Sequence, residues 1–204
     1  MLNTVYQLVR PRQFEVVFKD ITMDDKHVIV HPTHLSICNA DQRYYQGLRA
    51  EAVLKKKLPM ALIHEGIGRV IYDPTGHFEQ GTLVVMIPNT PVEQDEIIAE
   101  NYLRSSKFRA SGFDGFMQEY VSMEPDRLVV LPEDINLSVA AFTEIVSVSY
   151  HAIQRFFRFS HERRNVIGVW GDGNLGYITS LLLKKLLPDT KVCVFGVNEY
   201  KLND

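Results

Sequence analysis

The sequence has few of the features that mark disulfide-bonded or nucleic-acid-binding proteins. Cys38 and Cys193 are the two cysteines among 204 residues, and they lie too far apart in sequence to form a disulfide framework. A reduced, cytoplasmic protein is therefore expected. The 22 Lys and Arg residues are balanced by 25 Asp and Glu residues, and no basic block occurs. Because phosphate-backbone binding needs clustered cations, this balance argues against a nucleic-acid partner.

Long hydrophobic runs are also missing. The longest apolar stretches, residues 139–153 and 177–187, are shorter than a membrane span, and the first contains Glu144. Residues 1–14 include Arg10 and Arg12 but no uninterrupted apolar segment, so no secretory signal is visible. We therefore expect no membrane partner.

The residues that are present support a folded chain in two parts. Hydrophobic residues make up 46% of the sequence and charged residues 23%, which permits a sizeable core. Up to about Pro132, short runs rich in Val, Ile and Tyr alternate with turns, which predicts a β-rich, barrel-like domain. One helical excursion is predicted at residues 44–57. The predicted strands are residues 5–9, 28–30, 68–72, 82–87, 117–121 and 127–131.

After Pro132 the pattern changes to helices alternating with buried strands. Apolar spacing predicts a helix over residues 134–159, followed by a strand at 165–170, a glycine-rich turn, a helix at 177–187 and a strand at 191–195. We divide the chain into residues 1–135 and residues 136–204, the second part being a linking helix and a partial nucleotide-binding domain. A complete dinucleotide-binding sheet has about six parallel strands. The chain is therefore expected to be a fragment, unless something else covers the sheet.

The glycine-rich turn matches G-x-G-x-x-G directly after a predicted strand. In this motif the first glycine permits a tight turn, the second lets the backbone approach a pyrophosphate, and the third allows close helix–strand packing. The helix N-terminus adds free N–H groups for the anion. A turn that only connects strand and helix is the alternative, which the flanking strands disfavour. The predicted cofactor-binding residues of the turn are Gly171, Gly173, Asn174, Leu175 and Gly176.

The position that distinguishes the two nicotinamide cofactors lies at the end of the second strand. NAD-binding sheets usually carry an acidic residue there, and here the position is Gly196. A carboxylate would repel the 2′-phosphate of NADP, so its absence favours NADP. Lys201 lies close enough in sequence to supply a cation, although a solvated lysine is the alternative. Glu199 is a competing acidic candidate, but it falls beyond the strand end.

Cys38 and the pair His64-Glu65 are the candidate ligands in the first part. Each has a simpler explanation taken alone, because a lone Cys behaves as a small hydrophobe and most histidines are surface or core residues. The combination Cys38-x-x-Asp41, His64-Glu65-x-x-Gly68 and a later glycine turn resembles the zinc-dependent medium-chain dehydrogenase/reductase family. Longer stretches resemble those members that reduce a keto-sugar phosphate; these are residues 36–38, 41–45, 58–60, 63–66, 101–103 and 170–178.

The resemblance implies a mixed fold of α/β and β type. A GroES-like β-barrel catalytic domain would be followed by the start (β-α-β) of a Rossmann domain, truncated in this chain. It also implies one catalytic zinc ion, and a histidine-orienting role for Asp41 beside the metal. No cysteine occurs in residues 89–114, where the family often holds a structural zinc. The implied zinc ligands are Cys38, His64, Glu65 and Glu144.

The activity implied by the resemblance is zinc- and NADPH-dependent reduction of D-ribulose 5-phosphate to D-ribitol 5-phosphate. The product would supply cell-wall teichoic acid or capsule polymers. Ala40 stands where many members carry a proton-relaying Ser or Thr, so the proton must leave by another route. The alternatives are an NAD-dependent zinc polyol dehydrogenase and a non-catalytic, truncated remnant, since the chain alone is expected to be inactive. Expected partners are the sugar phosphate and either a second copy or a ribitol-phosphate cytidylyltransferase.

Overall fold

The computed structural model describes residues 1–202, and the contacts within the chain divide it into two compact units, Met1–Thr143 and Glu144–Asp204. The boundary predicted after residue 135 stays a prediction. The strands of the first unit are β1 (Leu2–Arg10), β2 (Gln13–Asp20), β3 (Val28–Ser36), β4 (Met60–Ala61), β5 (Glu65–Tyr72), β6 (Leu83–Met86), β7 (Asn89–Thr90), β8 (Lys107–Phe108), β9 (Val121–Met123) and β10 (Leu128–Val130). Its helices are α1 (Asn39–Tyr45), α2 (Glu51–Lys57) and α3 (Leu137–Ala140).

The first unit is built on antiparallel sheets, as the sequence predicts. A five-stranded sheet has the order β10-β6-β5-β3-β9, a three-stranded sheet has the order β2-β1-β4, and β7 pairs with β8. At the centre, β3 and β5 approach closely at Gly68, where a Cβ atom would lie 2.5 Å from the His31 carbonyl oxygen. One buried core cluster lies against this sheet; its members are Val28, Val30, Val70, Val84, Met86, Phe116, Val121, Met123 and Leu128.

Several predicted boundaries differ from those in the structure. The helix predicted at residues 44–57 is wrong as a single element, because Gly47 adopts φ +74° between α1 and α2 and interrupts the helical backbone. The predicted helix 134–159 is likewise split into α3 and α4 (Thr143–Phe159). The strand predicted at residues 117–121 begins only at Val121, because the preceding segment binds β1 irregularly, with Glu119 N–H donating to the Thr4 carbonyl.

The second unit contains the predicted strand–turn–helix–strand. Its elements are α4, β11 (Val166–Trp170), α5 (Asn174–Leu186), β12 (Lys191–Phe195) and α6 (Glu199–Leu202). β11 and β12 pair in parallel, and Ile153, Ile167 and Leu183 form the buried core between helices and strands. α5 begins earlier than predicted because Gly173 is already its N-cap residue. Within residues 1–202, no helix has the length and apolar character needed to cross a membrane.

Candidate metal centre and cofactor turn

Cys38, His64 and Glu65 come together in the first unit, as the sequence analysis expects. One ligand atom from each side chain lies within 4.8 Å of the other two. Cys38 Sγ is 3.8 Å from His64 Nε2. Two ligands on one tetrahedral zinc ion, with bonds of about 2.0–2.3 Å, lie about 3.6 Å apart, so this pair is already near a ligating separation.

The pairing of β3 and β5 explains why these residues meet. Ser36, the last residue of β3, lies opposite Glu65, the first residue of β5. Cys38 follows two residues later as the N-cap of α1, and His64 directly precedes β5. The sheet register therefore places all three candidate ligands at one end of the β3–β5 pair.

Asp41 ties the two segments of the centre together. It is 3% exposed, and its Oδ2 accepts hydrogen bonds from Cys38 N–H and Cys38 Sγ, each at 3.1 Å. Its Oδ1 accepts from Ile63 N–H at 2.9 Å, so it holds the residue that precedes His64. The histidine-orienting role of Asp41 stays a prediction. The hydrogen bonds in this structure support an indirect version of that role, through the backbone.

Ile63 holds an unusual backbone conformation beside His64. Its φ of +70° is unfavourable for a β-branched residue. Neighbouring groups fix it: Phe116 N–H donates to the Ile63 carbonyl at 2.6 Å, and a Cβ atom on Gly115 would lie 2.2 Å from the same oxygen. Strained residues of this kind concentrate at functional sites, where the surrounding structure must hold them. The sequence contains no signal for this conformation.

Burial changes the protonation of two candidate ligands in the cluster. Burial, reinforced by Asp41, raises the pKa of the Cys38 thiol to about 12. Burial also raises the pKa of Glu65, although Ser36 and His64 offset part of the effect. A divalent cation among these donors favours the thiolate and the carboxylate, which reverses both shifts. Sulfur, imidazole nitrogen and carboxylate oxygen are the ligands that zinc takes in proteins, so the residues fit a zinc ion.

Phe108 contributes to the centre in a way that the sequence does not indicate. Its ring packs edge-on against the His64 imidazole, with ring centroids 5.1 Å apart and an interplanar angle of 61°. This contact restricts rotation of the imidazole. Phe108 lies in the short strand β8, which pairs with β7 and carries no motif.

Glu144, the remaining implied ligand, lies in the first turn of α4 and is half-buried. It is the first residue of the second compact unit. Its role as a zinc ligand stays a prediction.

The glycine turn has the geometry that a pyrophosphate requires. Gly171 adopts φ +137°, which favours glycine, and a Cβ atom on Gly176 would lie 2.0 Å from the Gly171 carbonyl oxygen. A Cβ atom on Gly173, the N-cap of α5, would have no protein atom within 4 Å. Open space in front of a helix N-terminus is what an approaching phosphate needs. The turn therefore fits a dinucleotide. Asn174 and Leu175 begin α5, and Leu175 is exposed.

The residues after β12 lie where the sequence predicts, but they include an unpredicted partner. Gly196 directly follows Phe195, and Glu199 and Lys201 are exposed residues of α6. Asp172, inside the glycine motif, contacts this loop through its carboxylate. Because the motif leaves that position unspecified, the sequence offers no signal for the contact.

The fold and the clustered ligands define a class of protein. Residues 24–133 match the alcohol dehydrogenase GroES-like domain, which is more than half of the chain, and the chain belongs to that family. The predicted membership of the medium-chain dehydrogenase/reductase group is confirmed.

Several known proteins share high sequence identity with this chain along its whole length. The chain is 62% identical over 203 residues to ribulose-5-phosphate reductase of Bacillus spizizenii, covering all of this chain and 60% of that protein. It is also 62% identical to ribulose-5-phosphate reductase 2 of Staphylococcus aureus, with the same coverage. The crystal structure of S. aureus TarJ in complex with NADPH superposes with a TM-score of 0.81 at 51% identity, covering all of this chain and 56% of that one. The chain thus spans about 60% of the length of the curated relatives it matches.

Proposed function

We propose that the whole protein reduces D-ribulose 5-phosphate to D-ribitol 5-phosphate with NADPH, reversibly. The observation that carries this proposal is the 62% identity to ribulose-5-phosphate reductases along the entire chain. The clustered Cys38, His64 and Glu65 side chains support it, because a zinc-dependent reductase needs such a centre.

The residues that would hold zinc are Cys38, His64 and Glu65, with Glu144 as a further carboxylate ligand. Zinc bound by these side chains supplies Lewis-acid polarisation of the substrate carbonyl. The chain itself contributes the positioning. Asp41 holds the Cys38 backbone and the Ile63 N–H, and Phe108 restrains the His64 ring. Ala40 has no hydroxyl group, so the substrate proton exchanges with solvent through water or another side chain.

The cofactor would bind at the glycine turn of the second unit. NADPH supplies the hydride, and the relative TarJ was crystallised with NADPH. Gly173 leaves open space in which the pyrophosphate would lie, and the N-terminus of α5 would donate to it. Gly196 itself carries no carboxylate at the strand end, the adjacent Asp172 carboxylate is bonded to the following loop, and Lys201 is a candidate for the 2′-phosphate.

The substrate phosphate needs a cation near the centre. Arg43 and Arg49 follow Cys38 in the chain. Both stay candidates: Arg43 Nη2 donates to the Leu48 carbonyl at 3.5 Å, and the Arg49 guanidinium lies 4.9 Å from the centroid of the Tyr44 ring. The product would enter teichoic acid or capsule synthesis in the cytoplasm. The whole protein would form a homo-oligomer or a complex with a ribitol-phosphate cytidylyltransferase.

The experiment compares substrates and cofactors on the purified whole protein. NADPH consumption is followed with D-ribulose 5-phosphate, with unphosphorylated D-ribulose, and with NADH replacing NADPH. The proposal predicts that turnover requires the phosphate of the sugar and the 2′-phosphate of NADPH. If D-ribitol is oxidised with NAD faster than D-ribulose 5-phosphate is reduced with NADPH, the polyol dehydrogenase alternative is established instead. The identity to ovine sorbitol dehydrogenase is only 27%, which does not favour that alternative. A zinc-loaded protein without any turnover would point to a non-catalytic role.

A further inference from the structure

The carboxylate of Asp172 connects the glycine turn to the loop that follows β12. Its Oδ2 atom accepts hydrogen bonds from Val197 N–H at 2.8 Å, from Asn198 N–H at 2.7 Å and from Asn198 Nδ2 at 2.9 Å. Gly171 N–H also donates to the Phe195 carbonyl at 2.8 Å. Three donors on one oxygen hold residues 196–198 against the turn.

Gly196 is packed against the same carboxylate. A Cβ atom at position 196 would lie 2.5 Å from both Cβ and Oδ2 of Asp172, and 2.6 Å from its Cγ. Such distances are far inside van der Waals contact, so any side chain at 196 must displace Asp172 or the loop. The space that Asp172 occupies is therefore sufficient to explain the glycine, without reference to charge.

The bonds to Asp172 determine which groups remain for a cofactor. The N–H groups of Val197 and Asn198 are already used, and so is the Asn198 amide. These backbone donors are therefore not available to an anion while Asp172 holds them. A cation for the 2′-phosphate of NADPH would then come from a side chain, and Lys201, the third residue of α6, lies just beyond the loop. The hydrogen bonds that Asn198 and Val197 donate also lower the pKa of Asp172, so the carboxylate stays ionised.

We propose that Asp172 is a positioning residue for NADPH: its carboxylate fixes the loop after β12 so that Lys201 of α6 meets the 2′-phosphate, and Gly196 is glycine because Asp172 fills the adjoining space. This inference rests on the proposed NADPH-dependent function. It differs from the usual explanation of a non-acidic residue at this position, which invokes only the missing negative charge.

The test is calorimetric titration of the whole protein with NADPH and with NADH. Asp172→Ala should weaken NADPH about tenfold more than NADH, because the pyrophosphate contacts at Gly173 remain while the loop is released. Asp172→Asn should lose less NADPH affinity than Asp172→Ala, since an amide oxygen still accepts hydrogen bonds. Gly196→Ala adds no charge, yet it should also weaken NADPH more than NADH. Asp189→Ala, which removes an exposed carboxylate elsewhere in the second unit, is the matched control and should change neither affinity.

Several results would overturn the inference. One is an unchanged NADPH affinity in Asp172→Ala, and another is an equal loss of affinity for both cofactors. A third is tighter NADPH binding in both Asp172 variants, which would show that charge alone matters. An unaffected Gly196→Ala would remove the steric explanation. If Asp172→Ala does not fold, as judged by thermal unfolding, Asp172→Asn and Gly196→Ala still decide. Failure of the proposed function is visible separately, because the unmodified protein would then consume no NADPH with D-ribulose 5-phosphate, whatever its affinity for NADPH.

Discussion

Asp114 should be among the most important residues for the stability of the first unit. Its Oδ1 accepts hydrogen bonds from Gln7 Nε2 in β1 and from Ala61 N–H in β4, each at 2.8 Å, and its Oδ2 pairs with Lys19 Nζ in β2. One side chain therefore links all three strands of the β2-β1-β4 sheet. Asp114→Ala removes these links without adding volume.

The expected cost follows from the burial of the donors. Ala61 is fully buried and Gln7 is 7% exposed, so each donor left without its carboxylate partner costs about 1.5–2 kcal/mol. The Lys19 side chain is 46% exposed, and its ion pair adds less than about 1 kcal/mol. Asp114→Ala should therefore lower the free energy of unfolding by about 3–5 kcal/mol. Asp114→Asn, which keeps one acceptor oxygen, should cost about half as much.

Urea unfolding of the whole protein, followed by circular dichroism, measures these differences. Glu133→Ala is the matched control, because it removes an exposed carboxylate paired with Arg69 at 3.3 Å and should cost less than about 1 kcal/mol. A loss for Asp114→Ala that is no larger than the loss for Glu133→Ala would refute the reasoning. It would show that water replaces the carboxylate at Gln7 and Ala61.

The remaining predictions concern pH, the glycine turn and the metal centre. Burial alone would raise the pKa of Asp114, but hydrogen bonds from Lys19, Ala61 and Gln7 outweigh it and lower the pKa. The stabilisation that the ionised Asp114 provides is therefore complete above the unfolded-state pKa of about 3.9, and it is lost as the pH falls through the lower folded-state pKa. The unfolding free energies of the unmodified protein and Asp114→Asn should therefore converge in acid. Gly173→Ala should fold normally but lose NADPH affinity in titration, whereas Gly176→Ala should lower the thermal unfolding temperature, because its Cβ meets the Gly171 carbonyl. Phe108→Leu should weaken zinc binding by about tenfold in a competitive chelator titration, because the His64 ring loses its restraint.

Each of these predictions has a contrary outcome. A difference between the unmodified protein and Asp114→Asn that stays constant below pH of about 3 would mean that the carboxylate does not stabilise the fold through its charge. Full NADPH affinity in Gly173→Ala would mean that the cofactor does not approach this glycine. Unchanged zinc affinity in Phe108→Leu, with a normal unfolding temperature, would show that the histidine is held by other contacts.

Much of the fold was predictable because its signals are local. The unit β11-α5-β12 combines buried apolar runs with a glycine motif, and each feature lies within a few residues of the next. β2 was not predicted. Its side chains are mostly exposed, so they lack the strict alternation of a half-buried strand, and the strand forms by pairing with β1 after the turn at Arg12, where φ is +63°. Pairing across a turn of this kind has no strong sequence signal.

The centre was predictable only in part. Cys38, His64 and Glu65 were identified by their resemblance to a family pattern, and the structure brings them together. The groups that hold them depend on contacts between distant segments, such as the Asp41–Ile63 hydrogen bond and the packing of Phe108 on His64. Neither contact has a sequence spacing that could be recognised in advance. The same is true of the Asp172 carboxylate, whose partners lie beyond a whole helix and strand.

Zinc content is the measurement that tests the central claim most directly. The whole protein is purified without chelators, and its metal is quantified by mass spectrometry for the unmodified protein, Cys38→Ala and Cys193→Ala. Cys193 is half-buried in β12, away from the metal cluster in sequence, and serves as the matched control. The account predicts about one zinc ion per chain in the unmodified protein and in Cys193→Ala, and loss of zinc in Cys38→Ala. Unmodified protein without zinc, or Cys38→Ala that keeps its zinc, would contradict it.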